Sequence, residues 1–154
     1  MQVSNILKPE AVRVIGSVSS KKRLFQEIAD VAQTAYELKS QPTVEALLDR
    51  ESLGPTGVGH GVALPHARIS GVDEVIGVFV ILEKPLDFGA VDRQPVDIAF
   101  SLFAPEDAGV EHLKALALVS RTLREQSFCT KLRANPDATT LYTILTESQS
   151  VQAA

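Results

Sequence analysis

The chain has 154 residues, a net charge of −4 and a hydrophobic fraction of 45%, which together predict one globular domain. The acidic balance, without a sustained basic stripe, gives little electrostatic support for nucleic-acid binding. The N-terminus lacks the basic region and apolar run of a signal peptide, and no stretch approaches the roughly 18 apolar residues of a membrane span. We therefore expect a cytoplasmic protein without membrane insertion. A single cysteine, Cys129, excludes a cysteine-rich zinc site.

The predicted elements begin with a β-branched strand at residues 12–15 and a helix capped by Ser19 or Ser20. Apolar residues form one helical stripe along that helix: Leu24, Ile28, Val31, Ala32, Ala35 and Leu38. A second helix is predicted to start with Thr43 as its cap and to end near Leu53. Residues 54–61 contain four glycines and can form neither a stable helix nor a central strand.

Two predicted strands and then three predicted helices complete the chain. Val75–Leu82 and Val96–Phe103 are strongly apolar and predict buried strands. Three helices are predicted to follow, at Val110–Arg124, Phe128–Arg133 and Asp137–Thr146. We expect a core at residues 6–147 and a disordered polar tail at residues 148–154. Strands in the middle with helices on both sides favour one α/β domain over residues 1–154, and the pattern leaves the strand order open.

Several familiar sites are absent from the sequence. No Lys-Ser or Lys-Thr follows the glycine-rich segment, so it is not a Walker A loop, and its spacing does not fit the dinucleotide fingerprint. There is no Gly-x-Ser-x-Gly elbow and no His-Glu-x-x-His helix. The sequence therefore argues against ATP binding by a P-loop and against ester hydrolysis by a triad.

The three histidines are the remaining candidates for chemistry. His66 follows the glycine-rich segment, His112 lies in the first turn of the long helix, and His60 lies inside the segment. A neutral imidazole is a nitrogen nucleophile with a pKa near the working pH, so it can carry a phosphoryl group. Glycine N–H groups and a helix N-terminus can hold phosphate oxygens. Arg50 can add a planar two-pronged contact.

Each histidine also has a simpler explanation. His66 can be an ordinary loop residue, His112 a satisfied surface residue, and His60 a solvent-facing loop residue. A zinc site from the three histidines has little support, because two lie in a loop and no ligand spacing on a helix is present. The residues alone leave these alternatives open.

The segment Arg50–His66 resembles the active-site segment of the fructose/mannitol-type enzyme IIA proteins of the bacterial phosphotransferase system. In that family an Arg-Glu pair, a Thr-Gly-rich loop and a Gly-x-Ala-x-Pro-His end lead to the phosphorylated histidine, which corresponds to His66. The resemblance covers nearly the whole chain. It implies that Arg50 contacts the phosphoryl oxygens and that His112 supports His66. We expect neither a cofactor nor a metal to take part. Ala67 stands where many relatives have glycine, and His60 where another polar residue is common.

Within the family, the nitrogen-regulatory branch is the most similar, on the segments Thr56–Gly59, Gly77–Val80 and Gln94–Asp97. This resemblance implies a mixed, roughly five-stranded sheet flanked by helices. It implies a donor, an HPr-like phosphocarrier (NPr) that is itself phosphorylated from phosphoenolpyruvate through enzyme I. It also implies regulation of protein targets such as potassium-transport proteins and sensor kinases. Two other functions stay open: a subunit that passes phosphate to a sugar-specific partner, and an interaction module whose histidine no longer reacts.

Overall fold

The computed structural model describes the backbone of residues 1–153 and the side chains of residues 1–147. Within this part of the chain, a short 3-10 turn (Val3–Asn5) precedes six strands and five α-helices. The strands are β1 (Leu7–Ile15), β2 (Gly57–Gly59), β3 (Val62–Ala63), β4 (His66–Ile69), β5 (Ile76–Leu86) and β6 (Val96–Pro105). The helices are α1 (Lys21–Tyr36), α2 (Ser40–Glu51), α3 (Val110–Arg124), α4 (Gln126–Arg133) and α5 (Ala138–Ala153).

The strands form one mixed sheet in the order β1-β5-β6-β3-β2, with β4 also paired to β6. β5 and β6 form a central antiparallel pair, β1 is parallel to β5, and both β3 and β4 are parallel to β6. β3 and β4 follow each other along the same edge of β6, separated by Leu64 and Pro65. The sheet therefore has six strands rather than roughly five, because Pro65 has no N–H for the ladder and interrupts this segment.

The central strands form the core, as their apolar runs predict. β5 and β6 are almost continuously buried from Gly77 to Leu82 and from Ile98 to Ala104. Helices pack around them: α1 against β1 and β5, α3 against β6, and α2 against α1 and β4. The α/β prediction is confirmed. The packing of α2 against β4 brings the end of one helix beside the strand that begins with His66.

Helix boundaries show where the sequence pattern succeeds and fails. Ser20 caps α1 as expected, with its hydroxyl accepting from the Arg23 N–H at 3.1 Å. The predicted cap Thr43 is wrong, because α2 already begins at Ser40. Thr43 is buried within the helix, and its hydroxyl donates to the Lys39 carbonyl at 2.8 Å. A threonine can thus satisfy its hydroxyl one turn back along the helix instead of capping it.

The disordered tail expected at residues 148–154 falls on residues that the structure describes only in part, so it stays a prediction. The backbone of α5 is helical to Ala153. No glycine or proline interrupts the sequence after residue 147, so the helical hydrogen-bond ladder can continue. The side chains of residues 148–154 and the backbone of Ala154 lie outside the described residues. Among the helices that are described, none is both long and apolar enough to span a membrane.

Candidate active site

The three predicted site residues come from distant parts of the chain and meet at one open pocket. Arg50 lies in the last turn of α2, His66 is the first residue of β4, and His112 is in the first turn of α3. The pocket has a volume of about 440 Å³. Its lining combines these three residues with Ala46, Asp49, Leu53, Ala67 and Arg68. The structure therefore brings both predicted histidines and the predicted arginine together.

The hydrogen bonds of His66 define which of its two ring nitrogens can react. Nδ1 lies 2.8 Å from the carbonyl oxygen of Leu64. Because a carbonyl only accepts, Nδ1 carries the hydrogen and donates it. Nε2 then has a free lone pair, and the Nε–H of Arg50 donates to it across 3.3 Å. His66 is therefore the neutral Nδ1–H tautomer, with Nε2 facing the arginine.

The electrostatic environment keeps His66 uncharged. Burial lowers the pKa of His66 from its usual 6.5, since it penalises the imidazolium. The hydrogen bond to the Leu64 carbonyl opposes this decrease, whereas the positive charge of Arg50 adds to it. The net pKa is lowered, so the imidazole holds its lone pair at neutral pH.

His112 lies beside His66 and is more deeply buried. The two ring centroids are 5.6 Å apart, with an angle of 47° between the ring planes. Its exposed fraction is 7%, and its Nδ1 has no hydrogen-bond partner among the described residues. A buried N–H without an acceptor is rare in native structures, so we assign the hydrogen to Nε2. Burial, followed by His66 and Arg68, lowers the pKa of His112, which is therefore also neutral.

Arg50 is held at both ends of its guanidinium. Its Nη1 donates to the Gly54 carbonyl at 3.1 Å, and its Nε donates to His66. The first contact ties the arginine to the start of the glycine-rich segment. These two contacts orient the guanidinium toward Nε2 of His66.

The buried carboxylate of Glu51 supports this arrangement. The Glu51 side chain is 6% exposed and accepts from the Thr56 N–H at 2.8 Å and from the Thr56 hydroxyl at 2.5 Å. Lys21 adds an ion pair to Glu51 at 3.2 Å, and its ammonium lies 4.2 Å from the centre of the Phe88 ring. The Thr56 carbonyl in turn accepts from the Leu64 N–H at 2.9 Å. Glu51 therefore connects α2 to the residue that orients His66.

This role of Glu51 was not predicted, although the sequence contains a signal for it. An acidic residue in the last turn of a helix opposes the helix dipole and needs compensation from elsewhere. Three donors from two other segments supply it here. Such a network can be suspected from sequence, but its partners cannot be identified without the tertiary structure.

His60 does not belong to the site. It is exposed, as expected for a loop residue, and lines a different pocket with Asp92 and Arg133. Its N–H donates to Asp92 at 2.9 Å, and its carbonyl accepts from Arg133 at 2.9 Å. Its φ of 56° lies in the left-handed region, so these contacts hold an unusual turn. Among the described residues, no group of three or more His, Cys, Asp or Glu is arranged to hold a metal ion.

Strand β4 contributes one residue that the sequence analysis did not single out. Side chains alternate along a strand, so Arg68 lies on the same face as His66 and lines the same pocket. Between them, Ala67 is buried, and it pairs with Phe103 without a positive φ. Ala67 therefore fits an ordinary strand, and the glycine common in relatives is not required. The sequence analysis did not predict a strand at His66, so the alternation that places Arg68 beside it became visible only in the structure.

The chain is similar to one protein family and to several known proteins. The family described as "Phosphoenolpyruvate-dependent sugar phosphotransferase system, EIIA 2" matches residues 5–148. A "Nitrogen regulatory protein" of Bradyrhizobium diazoefficiens is 43% identical over 145 residues, covering 94% of this chain and 95% of the relative. The crystal structure of nitrogen regulatory protein IIA-Ntr from Neisseria meningitidis matches with a TM-score of 0.85 and 36% identity, over 94% of this chain and 99% of that one. Escherichia coli IIA mannitol shares the fold alone: the TM-score is 0.75 and the identity 19%, with 90% and 97% of the two chains covered.

The protonation state of His66 can be measured directly. We expect the Nδ1–H tautomer and a titration midpoint below 6.5 in long-range ¹H–¹⁵N spectra, because burial opposes the charged ring. In urea-unfolded protein the midpoint should return to about 6.5. As the pH decreases below about 6.5, His66 binds a proton in the unfolded chain before it does so in the folded chain, so the free energy of unfolding decreases. A folded-state midpoint at or above 6.5, or a proton on Nε2, would contradict this description.

Proposed function

Because the chain belongs to the EIIA 2 family of the phosphoenolpyruvate-dependent sugar phosphotransferase system, we propose that His66 accepts a phosphoryl group on Nε2 from an HPr-like phosphocarrier. The observation that carries the proposal is the hydrogen bond from Nδ1 to the Leu64 carbonyl. It leaves Nε2 as a neutral nucleophile with an available lone pair, which is the form of histidine that attacks phosphorus.

The transfer balances without an additional proton carrier. The Nε2 lone pair of His66 forms the new N–P bond, while the N–P bond of the donor phosphohistidine breaks and its electron pair returns to the donor nitrogen. His66 keeps its proton on Nδ1, where the Leu64 carbonyl stabilises the positive charge that the ring acquires. The donor ring, protonated at its other nitrogen before transfer, becomes a neutral imidazole.

Arg50 and His112 have distinct roles in this proposal. When the Nε2 lone pair becomes the N–P bond, the Nε–H of Arg50 loses its acceptor and can donate to the phosphoryl oxygens instead. His112, with its hydrogen on Nε2, offers a second donor at the pocket wall. The start of α3 adds a favourable electrostatic environment for the anion. Catalysis then rests on positioning and charge stabilisation.

The surroundings of the pocket suit a protein donor. Leu53 lines the pocket and is 83% exposed, and Leu113, next to His112, is 63% exposed. Exposed apolar side chains around a polar site are typical of surfaces that contact another protein. An HPr-like carrier, NPr in the nitrogen branch, fits this requirement. The proposal places the protein in the cytoplasm, where phosphoenolpyruvate is available.

A phosphocarrier with a regulatory role is the function that the nitrogen regulatory relatives support, and a sugar-transport subunit has less support. The phosphoryl group carries about 2 negative charges and the protonated His66 ring about one positive charge, so phosphorylation makes the pocket face more negative by about one charge. We propose that partners distinguish the two states by this charge, with potassium-transport proteins and sensor kinases as candidate targets. The sugar-transport alternative predicts rapid transfer from His66 to a sugar-specific IIB protein.

The central experiment is incubation with phosphoenolpyruvate, enzyme I and an HPr-like protein, followed by intact mass spectrometry. We expect one acid-labile phosphoryl group, located on His66. His66→Ala should accept none, whereas the control His60→Ala should accept one, because His60 lies at a different pocket. Normal phosphorylation of the His66→Ala protein would disprove the proposal.

Arg50→Lys tests the arginine contact. Lysine keeps the charge but loses the planar pair of donors, so it should serve poorly. We expect normal folding and a transfer rate slower by one to a few orders of magnitude, about 1.5–4 kcal/mol of barrier. Rapid-quench measurements should show no such change for Arg121→Lys at an exposed position of α3. Equal rates for Arg50→Lys and the parent would remove Arg50 from the mechanism.

His112 is expected to support His66 without carrying phosphate itself. His112→Ala should retain most of its stability and still accept phosphate on His66. The lifetime of the phosphorylated state, or the rate of onward transfer, should change at least several-fold. His112→Gln keeps an N–H donor and should recover part of the loss. If both variants match the parent in acceptance, lifetime and return transfer, His112 has only a structural role.

A further inference from the structure

Arg68 is a second cation at the pocket, and neither the sequence motif nor the proposed transfer step has used it. It is exposed on β4, two residues after His66, and its side chain has no hydrogen bond or ion pair described within residues 1–147. Alternate residues of a strand lie about 6.5–7 Å apart on the same face, well within reach of an arginine side chain. An unpaired guanidinium thus stands next to the reactive imidazole.

The charges around His66 show what such a cation can do. The pocket lining holds two neutral histidines, the cations Arg50 and Arg68, and the exposed anion Asp49. A phosphoryl group on His66 would bring about 2 negative charges, and the ring that keeps its Nδ1 proton would offset about one of them. Arg50 alone cannot balance the remainder, because Asp49 cancels its charge and one of its donors is already engaged with Gly54. A second guanidinium brings the loaded pocket close to neutrality.

We propose that Arg68 binds the phosphoryl oxygens once the group is on His66, and so stabilises the phosphorylated state. This inference rests on the proposed function. In the unphosphorylated protein, Arg68 borders both the His66 pocket and a neighbouring pocket of about 460 Å³ that includes Glu37 and Glu106. The arrival of the phosphoryl dianion biases the side chain toward His66. Arg50 acts on the group as it arrives, whereas Arg68 holds it afterwards.

The first test observes Arg68 without any partner protein present. In ¹H–¹⁵N spectra of the arginine Nε–H groups, the Arg68 signal is assigned by its loss in Arg68→Gln. We expect this signal to shift clearly when purified protein is phosphorylated on His66, while that of Arg13, an exposed residue of β1, stays in place. If Arg68 only helped to dock the donor protein, its Nε–H signal would not shift, because the donor has been removed.

The second test measures the equilibrium of transfer between the carrier and this protein. Losing a charged hydrogen-bond donor should lower the equilibrium constant for loading His66 by about 3- to 30-fold in Arg68→Gln. Arg68→Lys should fall between Arg68→Gln and the parent, and the control Arg13→Gln should equal the parent. Circular dichroism should show normal folding, since the replaced side chain is exposed.

The outcomes separate this inference from the proposed function. A parent protein that accepts no phosphate disproves both. The inference alone is wrong if the parent is phosphorylated on His66 with two further results. The Arg68 signal does not shift on phosphorylation, and Arg68→Gln leaves the loading equilibrium unchanged. A higher KM for the carrier with an unchanged loading equilibrium would assign Arg68 to donor docking and would also overturn it.

Discussion

The hydrogen bond between Nδ1 of His66 and the Leu64 carbonyl determines the chemistry available to this site, because it directs the free lone pair to Nε2. The carbonyl itself is positioned by the sheet. The Leu64 N–H donates to Thr56, and the carbonyl of the next residue, Pro65, accepts from Leu102 in β6. The interruption between β3 and β4 places one carbonyl beside the ring instead of in a strand ladder. The interruption at Leu64 and Pro65 therefore determines which ring nitrogen of His66 keeps a free lone pair.

The pocket combines two neutral imidazoles with two permanent cations. Burial lowers the pKa of both histidines, which avoids placing further positive charge beside the two arginines. The two arginines carry permanent charge, one held at Gly54 and one exposed. In the proposed transfer, the phosphoryl group adds about 2 negative charges and the protonated ring of His66 about one positive charge, so this open, cationic pocket becomes close to neutral. A partner that contacts this face would then sense a change of about one charge.

A buried carboxylate outside the pocket lining supports the site. Glu51 is almost inaccessible, and its contacts with Thr56 and Lys21 connect α2, the glycine-rich segment and the start of α1. Removing one partner of such a buried charged network costs far more than an exposed ion pair contributes. Arg133 plays a related part at the other end of the segment, where it binds Asp97 and the His60 carbonyl. The glycine-rich segment is therefore held at both ends, by Glu51 at Thr56 and by Arg133 at His60.

The sequence by itself determined the α/β class, the bounds of α3 and the identity of Arg50, His66 and His112 as candidates, because periodicity and local motifs are encoded over a few neighbouring residues. It misassigned Thr43 as a cap, since a hydroxyl has several backbone partners within one turn. Only the tertiary structure decided the six-stranded sheet, the tautomers of the two histidines and the position of Arg68 in the pocket. Those features depend on contacts between residues far apart in the chain, such as Leu7 and Gly77 in neighbouring strands. No local sequence pattern specifies which distant segments meet.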